Sequence, residues 1–568
     1  MKNTKKLISV LLALVFVTII VYGCGNKDND ISESNNVDSS ATAQAPSQAP
    51  SQAPTQPSPQ PPISSPVIPE APVENANLAD HIDIILEASL TIVNPYMLAG
   101  TGGAPQKGSY LIHDRLLQQI EPGVPGPMLA TEWKTDDYQT FVFTLRDDVY
   151  FHNGDHFTAE DIVWNIEISE EFPSSNAYSR WIAVSSVKAL DTYVVEIVLN
   201  EPHVDFFLDV TDYATAICNK RAYMENPDDP TWAHIGTGPY MVTEFESNDF
   251  ITLERFDGFW GDPQPTRSLT LWSIPEMTTR MVMMQTGEAQ VCFSMTPEDL
   301  DALDASADYN VFKVLLNEPT WIGFNNQGDS IMMDPNFRLA VAHAINVSDI
   351  STVAMGNWGQ PAWDGNIWGP ESQSRLEGLP QREYNPALAM EYLAKSVYNG
   401  ETLEILTAAA SNIRASETVQ LQLFDVGINT NIETMEMSGF LEALNYNPNS
   451  TVQMHVFSGP MSTGALYTLR GAYYPGMGTN RLNLNNDYLT GIIDQLSVAR
   501  NLSDREDLIH KAQQFFWDDL SAIALYWRVS GIPTVNGVGG MSLTSDPFNH
   551  SMRGIYWNLD EASANLRP

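Results

Sequence analysis

Cysteine is scarce in this chain, with three among 568 residues: Cys24, Cys218 and Cys292. Three cannot build a disulfide scaffold. Cys218 and Cys292 read as small buried hydrophobes, and the sequence leaves a bridge between them open. Basic residues are scarce too, 29 against 70 acidic, for a net charge of −41. Such a surface repels nucleic-acid phosphates and anionic headgroups, which excludes nucleic-acid binding. Catalytic spacing is missing as well: there is no H-E-x-x-H, no G-x-S-x-G and no cysteine pair at metal spacing. His152 and His156 lie four apart, but Asn153-Gly154 puts a turn between them, so they read as hairpin decoration and not as a metal site. The residues imply binding and no catalysis, with no cofactor and no metal.

Long apolar runs are nearly absent, and the one that exists is informative. Lys2, Lys5 and Lys6 precede Leu7 to Val21, and Gly23-Cys24 follows. A basic start, a short apolar core and a small residue at the cut predict an export signal over residues 1–23, not a spanning helix. Cysteine after Gly23 resembles a lipobox, which implies cleavage before Cys24 and lipid on its thiol and amine. An ordinary signal peptide with a chance cysteine is the lesser reading. Residues 24–77 then lack apolar periodicity and hold ten prolines between Pro46 and Pro72, several in AQAPSQAPSQAPTQP. Such a segment cannot bury enough surface to fold and reads as a disordered tether, extended at about 3.1 Å per residue.

What is present begins with FVFTLRDDVYFHNGDHFTAEDIVW, Phe141 to Trp164. Phe141, Phe143 and Leu145 alternate on one face, as in a half-buried strand, and Val149 to Phe151 reads as a second arm. Asn153-Gly154 supplies a tight turn. Thr158 and Asp161 then open a helix that carries Ile162, Val163 and Ile166 inward. Beyond this strand, turn and helix, the residues resemble the signature of the family 5 solute-binding proteins of bacterial ABC importers, which bind peptides, nickel or oligosaccharides. Trp133 is followed by FTLR at 143–146, FHNG at 151–154 and FTAEDIV at 157–163. The resemblance implies an α/β fold of the type II periplasmic-binding-protein kind, two lobes with a hinge, the first enlarged by an extra subdomain (cluster C type). At 568 residues the chain is long enough for two to four such units. The expected division is lobe 1 over 78–315 with the subdomain at about 120–208, lobe 2 over 316–529, and a return to lobe 1 over 530–568.

Further along, the chain keeps to that pattern. Gly236-Thr237-Gly238-Pro239-Tyr240 lacks the lysine and helix of a phosphate loop, so it reads as a turn opening a hairpin, Tyr240 to Phe245 and Phe250 to Phe256. Leu315 to Asn326 resembles the family's first strand between lobes, and Ala522 to Arg528 its return. Asp334-Pro335 and Asn385-Pro386 open helices. Ser503 and Glu506 have the spacing of a capping box for a helix through Leu520.

For the ligand, the resemblance is instructive where it fails. Peptide-binding relatives carry an aspartate for the α-amino group in a segment that corresponds here to Phe457 to Leu469, FSGPMSTGALYTL, which has no carboxylate. That departure brings neutral, oligosaccharide-sized ligands beside peptides. Trp358, Trp363 and Trp368 sit in a loop that borders the cleft in relatives, and Trp321, His455, Tyr467, Arg470 and Tyr473 complete the candidate set; Arg470 has the charge to meet a ligand carboxylate. The implied partners are an ABC permease and its ATPase, the implied location the outer face of the cell membrane through the lipid anchor, and the implied state a monomer. A surface receptor that presents ligand to a sensor is the rival reading on the same fold.

Overall fold

Two long strands organise the molecule. In the computed structural model, which describes residues 76–86, 90–97, 103–121, 123–328, 330–370, 372, 374–459, 464–545 and 550–566, the outbound strand Tyr309–Phe324 lies antiparallel to the return strand Ala522–Val535. The export signal, Cys24 and residues up to 75 lie outside the described set. Pairing runs from Tyr309↔Val535 to Leu315↔Val529, then shifts, and resumes from Pro319↔Trp527 to Gly323↔Ala522. Proline has no N–H to give a ladder, so Pro319 suits the point where register breaks. The backbone N–H of Asn317 leaves the ladder there and donates to the Ser545 carbonyl at 2.6 Å.

On one side of the shift lies the first lobe. His81–Leu86 runs parallel to Ser268–Ser273 and to Val291–Cys292, and the antiparallel hairpin Tyr240–Glu246 and Phe250–Arg255 extends the edge. On the other side lies the second lobe, where Leu403–Thr407 runs parallel to both Thr430–Thr434 and Met454–Ser458. The two halves share one eleven-stranded sheet through the long pair. Parallel strands covered on both faces read as continuous apolar runs, and Ile82, Ile84, Ile85 and Leu86 are all fully buried.

The signature segment builds a separate four-stranded antiparallel sheet, in the order Ala130–Lys134, Thr140–Leu145, Val194–Leu199, Val184–Asp191. Alternation decides its core: Phe141, Phe143, Leu145, Val195, Ile197 and Leu199 face inward with Phe206. The expected second arm is not a strand. Residues 149–157 close on themselves, with Phe151 N–H on the Asp155 carbonyl, Gly154 at φ 85° and a single bridge between Tyr150 and His156. The backbone N–H of His152 is taken by Gly236 instead of by a neighbouring strand. The next helix, Ala159–Ile168, starts as the sequence implies: the Asp161 carboxylate accepts from both the N–H and the hydroxyl of Thr158.

Two further differences have physical causes. The helix Gly103–Ile112 carries two glycines and a proline and shows no apolar stripe, because Ala104 through Ile112 are all buried; a helix covered all round has no amphipathic period to read. The last long helix, Leu502–Asp519, is capped by Asn501, whose side chain accepts from the N–H groups of Ser503 and Asp504, two residues before the expected cap Ser503. The glycine turn holds as expected: a Cβ at Gly236 would stand 2.1 Å from the Ile112 carbonyl oxygen, so only glycine fits. Cys218 and Cys292 are buried free thiols.

Candidate functional site

Where the first lobe's subdomain meets the second lobe, a cavity of about 270 Å³ is walled by both. Asn317 and Ser545 line it at the register shift, and the Asn317 side-chain oxygen accepts from the N–H of Gly369 at 3.1 Å. Trp368, Gly464, Ala465 and Ile509 come from the second lobe, Leu208 and Asp205 from the subdomain. Asp205 crosses the gap to Arg505 at 2.5 Å, with both side chains nearly covered, and its other carboxylate oxygen has no partner. A second crossing pair, Arg470 with Glu201 at 3.4 Å, stands in solvent. Between these acidic residues, burial alone would lower the His203 pKa, but the hydrogen bond and charge of Asp209 raise it.

At the shift itself Glu318, buried, meets Arg528 at 2.7 Å, and the charge of Glu318 pushes the guanidinium pKa further up. Among the described residues two ion pairs thus tie the lobes across the mouth, and a third joins the two hinge strands. A larger hollow of about 560 Å³ lies on the second lobe beside Thr430, but Leu421 and Phe424 in its wall are exposed and no other lobe faces it. Lobe closure cannot enclose a solute there.

The candidate residues fall into three groups. Trp368 lines the cavity and is buried. Trp358 is buried and its indole donates to Asp301 at 3.0 Å; Trp363 is half-buried, donates to Ser348 at 3.1 Å and lines a separate hollow of the second lobe with Arg382 and Trp517. Trp321, His455 and Tyr473 gather elsewhere in the second lobe, all buried, around Phe457 and Arg481. Trp321 meets Phe457 edge-on at 5.2 Å, and the Arg481 guanidinium lies over the same ring at 4.6 Å. Burial, with the Arg481 charge, lowers the His455 pKa to about 3, so the imidazole is neutral. Burial raises the Tyr473 phenol. Arg470 is the exposed partner of Glu201, and Tyr467 lies in the helix Ala465–Tyr473 with its side chain outside the described set.

Sequence reasoning missed Asp205, Asn317, Arg505 and Arg481. For Arg505 a signal existed: it shares a helical stripe with the buried Leu508, Ile509, Ala512 and Phe516, where a charge needs a partner. The histidines of the signature hold backbone, His152 at the Gly238 carbonyl and His156 at that of Asp147. Among the described residues no cluster of His, Cys, Asp or Glu could hold a metal.

The family model of the bacterial extracellular solute-binding proteins, family 5, matches residues 124–474. The chain belongs to this family. The glutathione-binding protein GsiB of Salmonella paratyphi A is 26% identical over 308 residues, which cover 53% of this chain and 59% of that protein. GsiB of Escherichia coli (strain K12) is 24% identical over 404 residues, 69% of this chain and 78% of that one. Among solved structures, DppA from Helicobacter pylori in complex with the peptide STSA is similar with a TM-score of 0.71 at 21% identity, covering 85% of this chain and 98% of that one. AppA from Bacillus subtilis in complex with a nonapeptide is similar at 0.69 and 18%, covering 85% and 100%. These likenesses establish the fold, the two-lobed type II periplasmic-binding-protein architecture with an enlarged first lobe. The family's members bind solutes and are not enzymes.

Proposed function

We propose that this protein is the extracellular solute-binding component of an ABC importer, which captures a peptide or similarly sized solute between its lobes and delivers it to the permease and its ATPase. The observation that carries the proposal is the cavity walled by both lobes beside a pair of continuous strands. Two strands that change register between Leu315 and Pro319 give a hinge, and closure about it sequesters what the cavity holds. The lobes divide there, at 315/316 on the outbound strand and at 529/530 on the return, with the subdomain over about 120–208. Cys24 carries the lipid and the proline-rich tether lets a monomeric body reach the permease.

Peptides are favoured over oligosaccharides by the tryptophans. Sugar binding leans on flat aromatic faces, and of the three in the loop only Trp368 lines the cavity. Relatives named for glutathione binding and neighbours solved with peptides agree with that choice. A thermal-shift screen of the purified protein against di- to octapeptides and an oligosaccharide panel tests it. A ligand at 100 times its dissociation constant stabilises by about 2.7 kcal/mol, so peptides are expected to raise the melting temperature. A rise with sugars alone, or with neither panel, would refute the reading.

A further inference from the structure

Buried arginines in this protein normally find an oxygen. Arg553 meets Asp114 at 2.7 Å, Arg338 meets Asp519 at 2.8 Å, Arg505 meets Asp205 at 2.5 Å, and Arg375 meets Asp364. Arg280 and Arg382 hold backbone carbonyls. Arg115 lies over the Tyr110 ring at 4.3 Å with its Nε and one terminal nitrogen buried and unpartnered, but it feels the charges of Asp114 and Asp212. Arg481 differs in having no carboxylate charge beside it among the described residues. Its guanidinium lies over Phe457, no carboxylate or carbonyl reaches it among the described residues, and its Nε is buried without a partner.

The neighbours of Arg481 are short of acceptors too. Trp321 Nε1 and His455 Nε2 are buried and unpartnered, with the two residues 9% and 1% exposed. Indole and guanidinium nitrogens only donate, and a neutral imidazole has one N–H to offer. The three side chains are held in one patch. Trp321 pairs with Phe457 across adjacent strands, and Gly323 pairs with His455 two residues on, so all four positions share a sheet face. A Cβ at Gly323 would stand 2.3 Å from the His455 ring, and one at Gly459 would stand 3.3 Å from that of Trp321; glycine at both positions leaves room for the rings. Gly459 ends this patch, and Gly464 and Ala465, a few positions on in sequence, line the cavity.

We infer that Arg481, His455 and Trp321 form a receiving site for a carboxylate carried by the captured solute. The inference rests on the solute-binding reading above and names the chemistry of the ligand for it. A carboxylate is acceptor-only and offers two oxygens in the plane that a guanidinium's parallel N–H groups match, leaving others for the indole and imidazole. A neutral carbonyl would leave the guanidinium charge uncompensated. Among the described residues no carboxylate stands by Arg481, which leaves the counter-charge to arrive with the ligand. The site also answers the missing aspartate of Phe457 to Leu469: this protein grips the acidic end of a peptide where relatives grip the amino end.

Calorimetric titration of the purified protein with trialanine, trialanine amide and Ala-Glu-Ala amide tests this. Wild type is expected to bind trialanine at least about tenfold more tightly than its amide. Tight binding of Ala-Glu-Ala amide as well would assign the site to a side-chain carboxylate, and weak binding to the terminal one. Arg481→Met is expected to lose the preference for the acid while its unliganded melting temperature stays at or above that of wild type; Arg481→Lys should keep part of the preference. Equal binding of all three peptides by wild type overturns the inference and leaves the solute-binding reading standing. So does an Arg481→Met variant that still prefers the acid or melts well below wild type, since Arg481 would then be a structural donor. Failure of wild type to bind any peptide overturns both.

Discussion

Asp114 with Arg553 in the first lobe and Arg481 with His455 in the second are two buried polar groups treated in opposite ways. Asp114 is fully buried beside an opposite charge: the Arg553 guanidinium stands 2.7 Å from one carboxylate oxygen, which accepts no hydrogen bond, and the other oxygen accepts from the Thr237 hydroxyl at 3.0 Å and the Trp260 indole at 2.7 Å. Arg553 also donates to the carbonyls of Tyr110 and His113, which ties the returning chain to the first lobe. Around Arg481 no opposite charge stands among the described residues. An unmet buried donor costs about 1–3 kcal/mol, so a fold has no reason to keep the Trp321 indole and the Arg481 guanidinium unmet beside an unpartnered imidazole. The closed network is scaffold and the open one is function.

The comparison breaks first at its closed side. Asp114→Ala leaves the Arg553 guanidinium buried without a counter-charge and is expected to cost about 3–5 kcal/mol in denaturant unfolding. A loss under about 1 kcal/mol would mean that the network is ornamental. Next comes pH. His455 has a folded pKa of about 3, as do His113 and His550, with His234 at about 4, each lowered by burial. The unfolded value is about 6.5, so between the two values the unfolded chain binds protons that the folded chain refuses. Stability is therefore full above about pH 6.5 and falls as pH drops, by about 1.4 kcal/mol per pH unit for each histidine. His455→Gln is expected to remove one such share of the slope between about pH 4 and 6; an unchanged slope would place a charged imidazole in the open cluster.

The ion pairs across the mouth sharpen the same point at smaller scale. Arg470 and Glu201 are exposed, and exposed pairs contribute about 0–1 kcal/mol. Arg470→Ala should shift the denaturation midpoint little and leave binding of the best peptide within about threefold of wild type. A larger loss of affinity would move the ligand's carboxylate to Arg470. Smallest, and of opposite sign, is Arg481→Met without ligand, expected to range from no change to a gain of about 1–2 kcal/mol in the same unfolding assay, the usual trade between stability and a binding site.

The same contrast separates what the sequence makes legible from what it does not. The outbound strand, the return strand and the alternating subdomain strands stand out because burial on one or both faces leaves a periodic trace. The helix Gly103–Ile112 leaves none, being buried all round. At the site, the tryptophan loop pointed to the cavity through Trp368 alone, since the indoles of Trp358 and Trp363 donate to Asp301 and Ser348 away from it. Asp205 and Arg505 stand 300 positions apart, and no local pattern announces such a pair. Arg481 sits in a polar stretch, NRLNLNN, that reads as loop; its lack of a partner is a fact about three dimensions.

The central claim is that solute is held between the lobes, and hydrogen-exchange mass spectrometry tests it most directly, comparing the protein alone with the protein saturated by the peptide that raises its melting temperature most. Protection is expected at both walls of the cavity: the subdomain segment with Asp205 and Leu208, the hinge at Asn317, and the second-lobe segments with Ala465, Arg505 and Ile509. Protection confined to Glu417, Leu421, Phe424 and Thr430, on the outer hollow of the second lobe, would contradict the account.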